Sequence, residues 1–245
     1  MIEIETPDGL AEAYLARPDD AEHPGVLFLM DAFGLRPRIE EMADRIASWG
    51  YVVLAPNLFY RDGRADDLAP TADLREPGTR EEFFKAVMPR IRGLTAGRVK
   101  PDLSAYFAAL RELPGVAEGP FGVTGYCMGG RLSLVAACAF PALVAAAGDF
   151  HGGRLATDSP DSPHHALPQA RATFVFGHAD NDGSMTTEDI ARLEAALDDA
   201  GLTYTSAVYA GALHGYTMSD TSMYDEAASE RHFTELKALL DQALS

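Results

Sequence analysis

The sequence predicts an α/β fold: a mostly parallel central sheet with helices on both faces and an antiparallel hairpin at the N-terminus. Three observations carry that expectation. From residue 25 onward, apolar runs of strand length alternate with segments of helical spacing. Gly25-Val26-Leu27-Phe28-Leu29-Met30 is apolar throughout, as in a strand buried on both faces. Finally, a Gly-x-Cys-x-Gly-Gly run at residues 125–130 joins a strand-like segment to a helix-like one.

The elements follow in order. Residues 2–6 and 10–16 read as a hairpin turning at Asp8-Gly9. After the apolar strand, Ile39, Met42, Ala43, Ile46 and Trp49 fall on one helical face, and Gly50 ends the helix. Residues 51–55 form a strand closed by Pro56. Residues 61–79, rich in Asp, Arg, Pro and Gly, read as a long surface loop, followed by helices over 80–92 and 102–113. The strand at 120–124 leads into a Leu/Val/Ala-rich helix over 131–140. Strands at 143–147 and 172–176 flank a Pro/Ser/His loop, 152–171. A helix over 186–200, a strand over 203–209 and a last helix over 224–244 complete the chain. No repeat or linker divides it, so residues 1–245 are expected to form one domain.

Composition narrows the function. A formal net charge of −17 argues against nucleic acid, which requires a basic stripe. The longest apolar runs fall far short of the ~18 residues of a membrane helix, and no signal peptide opens the chain. A cytoplasmic protein, monomer or homodimer, without membrane partners is expected. On one elbow and its helix, Cys127 and Cys138 would stand roughly 16 Å apart, too far for a disulfide. Cys138, amid alanines, reads as a buried small hydrophobe. The pair His164-His165 lies in the Pro/Ser/Asp-rich loop and reads as solvent-exposed, so no metal is expected.

A strand turning straight into a helix forces its pivot into strained backbone, and small neighbours relieve the clashes. That is the nucleophile elbow of the α/β-hydrolase architecture, here with Cys127 in the place usually held by serine. The helix dipole favours a thiolate there. A structural thiol on a Gly-rich turn is the competing reading of the motif alone.

A nucleophile needs a base, and the base an orienting acid, in the chain order nucleophile, acid, histidine. His214 follows the penultimate strand and precedes the last helix, where that order places the base. Two carboxylates follow the strand at 172–176. Asp180 has Gly-x-x-Asp spacing, and Asp182 stands six residues before Glu188. Asp182 is preferred, with Asp180 the alternative.

The chain resembles the dienelactone hydrolase family along nearly its whole length. The resemblance rests on Met30-Asp31-Ala32-Phe33-Gly34-Leu35, on residues 50–58, on the Gly125-Tyr126-Cys127-Met128-Gly129-Gly130 elbow and on the aspartate loop. Residues 208–216 around His214 and residues 224–231 complete it. It implies a triad of Cys127, Asp182 and His214, with an oxyanion hole from the backbone N–H groups of Met128 and Ala32. Acyl transfer through such a triad requires no cofactor or metal, and none is expected. Where the family has a glutamate that pairs with the thiol, this chain has the shorter Asp31, which also suits a capping role. Where the family places a carboxylate-binding arginine after the histidine, this chain has Thr217, Met218 and Ser219. Arg36, Arg38, Arg61 and Arg80 are the substitutes, and Arg61, just past a strand end, is the expected substrate contact. The expectation is a thiol hydrolase of a small ester or lactone. The alternative is a small-molecule binder or redox-sensing thiol protein on the same fold.

Overall fold

In the computed structural model, which describes residues 1–244, β1 (Ile2–Thr6) and β2 (Gly9–Ala16) form the expected antiparallel hairpin. Gly9 takes a φ of +138° at its turn, a region open to glycine at little cost. β2 pairs antiparallel with β4 (Val52–Pro56), and every later pairing is parallel. With β3 (Gly25–Leu29), β5 (Phe121–Tyr126), β6 (Val144–Phe150), β7 (Thr173–Ala179) and β8 (Tyr204–Tyr209), the sheet runs β1-β2-β4-β3-β5-β6-β7-β8. β3, β4 and β5 are buried at every residue, as central strands covered on both faces must be, and in β5 this includes the polar Thr124.

Helices cover both faces. α1 (Pro37–Ala47) starts on its proline and buries Ile39, Met42, Ala43 and Ile46, the face its spacing predicted. It shares one face of the sheet with α7 (Glu226–Ala243). Trp49 packs edge-on against Phe233, and Arg45 pairs with Glu230. Asp225 caps α7 by accepting the N–H of Ala228. On the other face lie α4 (Ala96–Glu112), α5 (Met128–Ala139) and α6 (Thr187–Asp199), the last opened by a capping box between Thr186 and Asp189. Among the described residues, no helix is long and apolar enough to cross a membrane.

Several expectations are corrected. α4 begins six residues before the predicted start and carries Pro101 within it. Pro101 is the sixth residue of that helix, so its missing N–H leaves the carbonyl of Gly97 without its usual helical donor. Residues 61–79 are not all surface loop. They hold the short α2 (Ala65–Leu68), and Ala65, Leu68 and Leu74 are buried. Within 152–171 a 3-10 helix (Pro163–Gln169) buries His164, whose Nδ1 meets Ser162 Oγ at 2.8 Å, while His165 stays exposed. Cys138 is buried, and burial pushes its thiol up to about 12.

The strand order reverses between β3 and β5. From β3 the chain first moves outward to β4, then returns across the sheet to β5. Open parallel sheets hold their sites at the carboxyl ends of the strands flanking such a point. Asp31 and Ala32 follow β3 there, and Cys127 follows β5.

Candidate active site

Cys127 sits between β5 and α5 with φ 55° and ψ −113°, a conformation few non-glycine residues adopt. The surrounding glycines show why the sequence reads as it does. A Cβ on Gly125 would lie 1.9 Å from Gly129 O, and one on Gly129 would lie 2.0 Å from Leu29 O. One on Gly130 would lie 2.6 Å from Asp149 Oδ1. No side chain fits at Gly125 or Gly129, where the clash is with backbone, and one at Gly130 would have to displace the buried Asp149 carboxyl. The pivot is pinned by its own N–H, which donates to Phe150 O at 3.1 Å. Because α5 begins at Met128, the Met128 N–H is one that a helix leaves without an internal partner.

Cys127, half-buried, faces a cavity of about 240 Å³. His214, Asp182 and Ala32 line the same cavity, together with Phe33, Phe84 and Arg80. His214 Nδ1 lies 2.6 Å from Asp182 Oδ2. The other oxygen, Asp182 Oδ1, accepts from the N–H and the hydroxyl of Ser184, both at 2.8 Å. Burial raises the Asp182 carboxyl, but the His214 ring and Ser184 outweigh it and leave it below its usual range. Burial alone would lower His214. The facing Cys127 sulfur and the bonded Asp182 overcome it and push the imidazole up to about 10. The geometry favours a charged imidazolium between sulfur and carboxylate.

The other loop carboxylate has a different task. Asp180 Oδ2 accepts the N–H of Gly211 at 2.8 Å and ties the aspartate loop to the histidine loop. The structure therefore brings His214 together with Asp182, not with Asp180.

Two expected site residues are placed otherwise. Asp31 lines the cavity, but both its oxygens are taken by Arg36, at 2.6 and 3.1 Å, and Oδ1 also accepts the N–H of Phe33. Its carboxylate is spent on an ion pair and a turn instead of on the sulfur. Arg36 is buried and is shared with Asp220 at 2.6 Å, so the pair belongs to the loop framework. Arg61 does not line the cavity. Its guanidinium is held by Asp102 at 2.6 and 2.9 Å and by Asp8 at 2.7 Å, at the hairpin end of the sheet. A residue just past a strand end was a reasonable choice, but β4 lies on the far side of β3 from the elbow. The arginine that does line the cavity is Arg80, near the start of α3 (Thr79–Gly93). Its Nη2 donates to His214 O at 3.3 Å, and its buried Nε has no partner among the described residues.

His151 went unnoticed in the sequence. It follows β6 with φ 43°, lines the cavity, and stacks edge-on against His214 at 5.3 Å and Tyr216 at 4.9 Å. Its Nε2 meets Thr217 Oγ1 at 2.8 Å. Burial, then the charge of His214, drives it well below the ordinary histidine range, so it is a neutral wall for the histidine loop. Only its place at a strand end beside Gly152-Gly153 could have drawn attention to it.

The sheet order and the strand–cysteine–helix elbow are those of an α/β-hydrolase. The model of the dienelactone hydrolase family matches residues 11–244, and the chain belongs to that family, which makes it a hydrolase. It is 27% identical to a protein of Methylorubrum extorquens named "Putative carboxymethylenebutenolidase", over 88% of this chain and 71% of that one. A protein of the same name from Synechocystis is 26% identical, over 94% and 91%. The solved structure titled as a putative dienelactone hydrolase from Klebsiella pneumoniae superposes with a TM-score of 0.79. It covers 98% of both chains at 24% identity and so shares the fold.

Proposed function

We propose that this protein hydrolyses a small ester or lactone by acyl transfer through Cys127. The observation that carries the reading is the 2.6 Å bond from His214 to Asp182 beside the strained Cys127, all on one cavity. With the proton already held on His214, the sulfur attacks the carbonyl carbon. The backbone N–H groups of Met128 and Ala32 receive the oxyanion, worth about 3–4 kcal/mol per donor in comparable sites. The carbon–oxygen bond of the ester breaks, and the departing alkoxide takes the proton from His214. Water then gives a proton to His214 and attacks the thioester, releasing the acid and restoring the thiolate. Asp182 holds the imidazole tautomer throughout.

Arg80, with a free Nε in the wall, supports a substrate that carries a carboxylate on that side. A purely redox-sensing role has less support. A sensor needs an activated thiol but not an oriented histidine–aspartate pair.

Turnover of p-nitrophenyl acetate, its loss on iodoacetamide treatment and its loss in Cys127→Ala test the mechanism. An alanine variant with near-normal turnover would overturn it.

A further inference from the structure

In a chain of formal charge −17, about half of the arginines end on acids, among them Arg45 on Glu230, Arg61 on Asp102 and Arg192 on Asp189. Arg92, Arg131 and Arg154 meet no carboxylate among the described residues, and all three line one cavity of about 550 Å³. The cavity opens on Cys127, Met128 and His214 and shares Phe84 and Ser184 with the smaller one. Met88, Ile91 and Leu132 make much of the remaining wall apolar.

The three guanidinium groups come from three different elements: the last turn of α3, the first turn of α5 and the loop after β6. Two of these placements carry a cost. Arg131 stands in the first turn of α5, where the helix dipole opposes a cation. Burial, and then the charge of Arg154, hold the Arg131 pKa below its ordinary range, so the two groups repel. Arg154 has a φ of 57° and is fixed by its N–H to Ser184 O at 2.7 Å. Strain of this kind persists where the surroundings impose it, commonly at ligand clamps. An anion between Arg131 and Arg154 turns their repulsion into two charge-assisted contacts.

We propose that this cavity is a second substrate subsite, which takes an apolar segment of the ester ending in an anionic group held by Arg131 and Arg154, with Arg92 also in its lining. The inference rests on the reading of Cys127 as the acyl-transfer nucleophile. Arg131 lies one helical turn beyond Cys127, a rise of about 6 Å. The anionic group therefore sits several bonds from the scissile carbonyl, on the α5 side and away from Arg80.

The test compares p-nitrophenyl hemiglutarate, with the anion on the acyl side, and 4-acetoxybenzenesulfonate, with it on the leaving side. The neutral references are p-nitrophenyl butyrate and phenyl acetate. The wild type should favour at least one anionic ester over its neutral counterpart in kcat/KM, by about tenfold at low salt, and the preference should shrink as salt rises. The Arg131→Gln/Arg154→Gln variant should lose that preference mainly through KM, and Arg131→Lys/Arg154→Lys should keep most of it. The ester that loses most tells which side of the substrate enters the cavity. If the wild type hydrolyses neutral esters but the anionic-to-neutral ratio is the same in wild type and the Gln variant, the subsite is overturned while thiol hydrolysis stands. A wild type inert to all four esters overturns both.

Discussion

Asp182 Oδ2 lies 2.6 Å from His214 Nδ1, while Asp180, two residues earlier, turns the other way and accepts the Gly211 N–H. Neutralising the first removes the acceptor that fixes the imidazole tautomer. Asp182→Asn should lower kcat on p-nitrophenyl acetate by several orders of magnitude, on the ~10⁴ scale of a neutralised triad acid. Asp180→Asn should cost less than about tenfold, because it loosens a loop tie of ordinary hydrogen-bond strength. Steady-state kinetics of the two variants decide it, and reversed results would transfer the role to Asp180.

Cys127→Ala should abolish turnover and leave the fold intact, since it removes the nucleophile but little volume. Cys127→Ser should keep only a small fraction of activity. A hydroxyl has a far higher pKa than a thiol, and the substitution removes the sulfur that helps hold the proton on His214. Turnover measured beside the circular dichroism spectrum separates lost chemistry from lost structure.

Asp31 is held by Arg36, so its substitution should act on the loop before the thiol. Asp31→Asn leaves the buried Arg36 with Asp220 as its only carboxylate partner. Breaking such a pair from one side costs about 3–5 kcal/mol, and the apparent Tm should fall accordingly. The pH profile of iodoacetamide alkylation should move little between wild type and variant. A clear shift of the profile toward lower pH would show instead that the Asp31 carboxylate acts on the sulfur.

The fourth expectation concerns pH and stability. Asp149 is fully buried beneath the elbow. Its Oδ1 accepts the Gly152 N–H at 3.1 Å, and its Oδ2 has no partner among the described residues. Burial pushes it up to about 8, against the pull of that N–H and of His214. A folded pKa above the unfolded value near 3.8 gives stability that is complete below 3.8 and lost as pH rises through 8. Asp149→Asn does not titrate. The unfolding free energy of the variant relative to wild type should therefore climb between pH 4 and 8, by at most about 1.4 kcal/mol per unit. Parallel urea-derived stability curves for the two proteins would refute it.

The elbow was legible because its constraint is local. Backbone contacts near 2 Å exclude a side chain at Gly125 and at Gly129, and that pattern is visible in the sequence itself. The hairpin and the buried strands were legible for the same reason, since turn chemistry and unbroken apolar runs are short-range signals. What the sequence hid depends on distant partners. Asp31 looks like a candidate beside a thiol until Arg36 and Asp220 claim the loop. Arg61 looks like a substrate contact until Asp102, forty-one residues away, holds it. Leu68 and Leu74 were hidden by the polar residues around them, and His164 by a loop composition that suggested exposure. The two candidate aspartates differ by two positions, and β7 runs on to Ala179, beyond the predicted strand end. Where that strand stops decides which carboxylate faces the histidine.

The close approach of Gly129 to Leu29 O and Met30 O ties the start of α5 directly to the end of β3. Both proposed oxyanion donors, Met128 and Ala32, thus hang from neighbouring strands of a sheet that is rigid by burial. The arginines around the two cavities hang instead from α3, from the side of α5 and from a connecting loop. Acyl transfer and recognition are therefore mechanically separate. Residue changes in α3 and the loop after β6 can retune which molecule is accepted while the reacting atoms keep their spacing, so divergence among proteins built this way should concentrate in selectivity and spare the bond-breaking step.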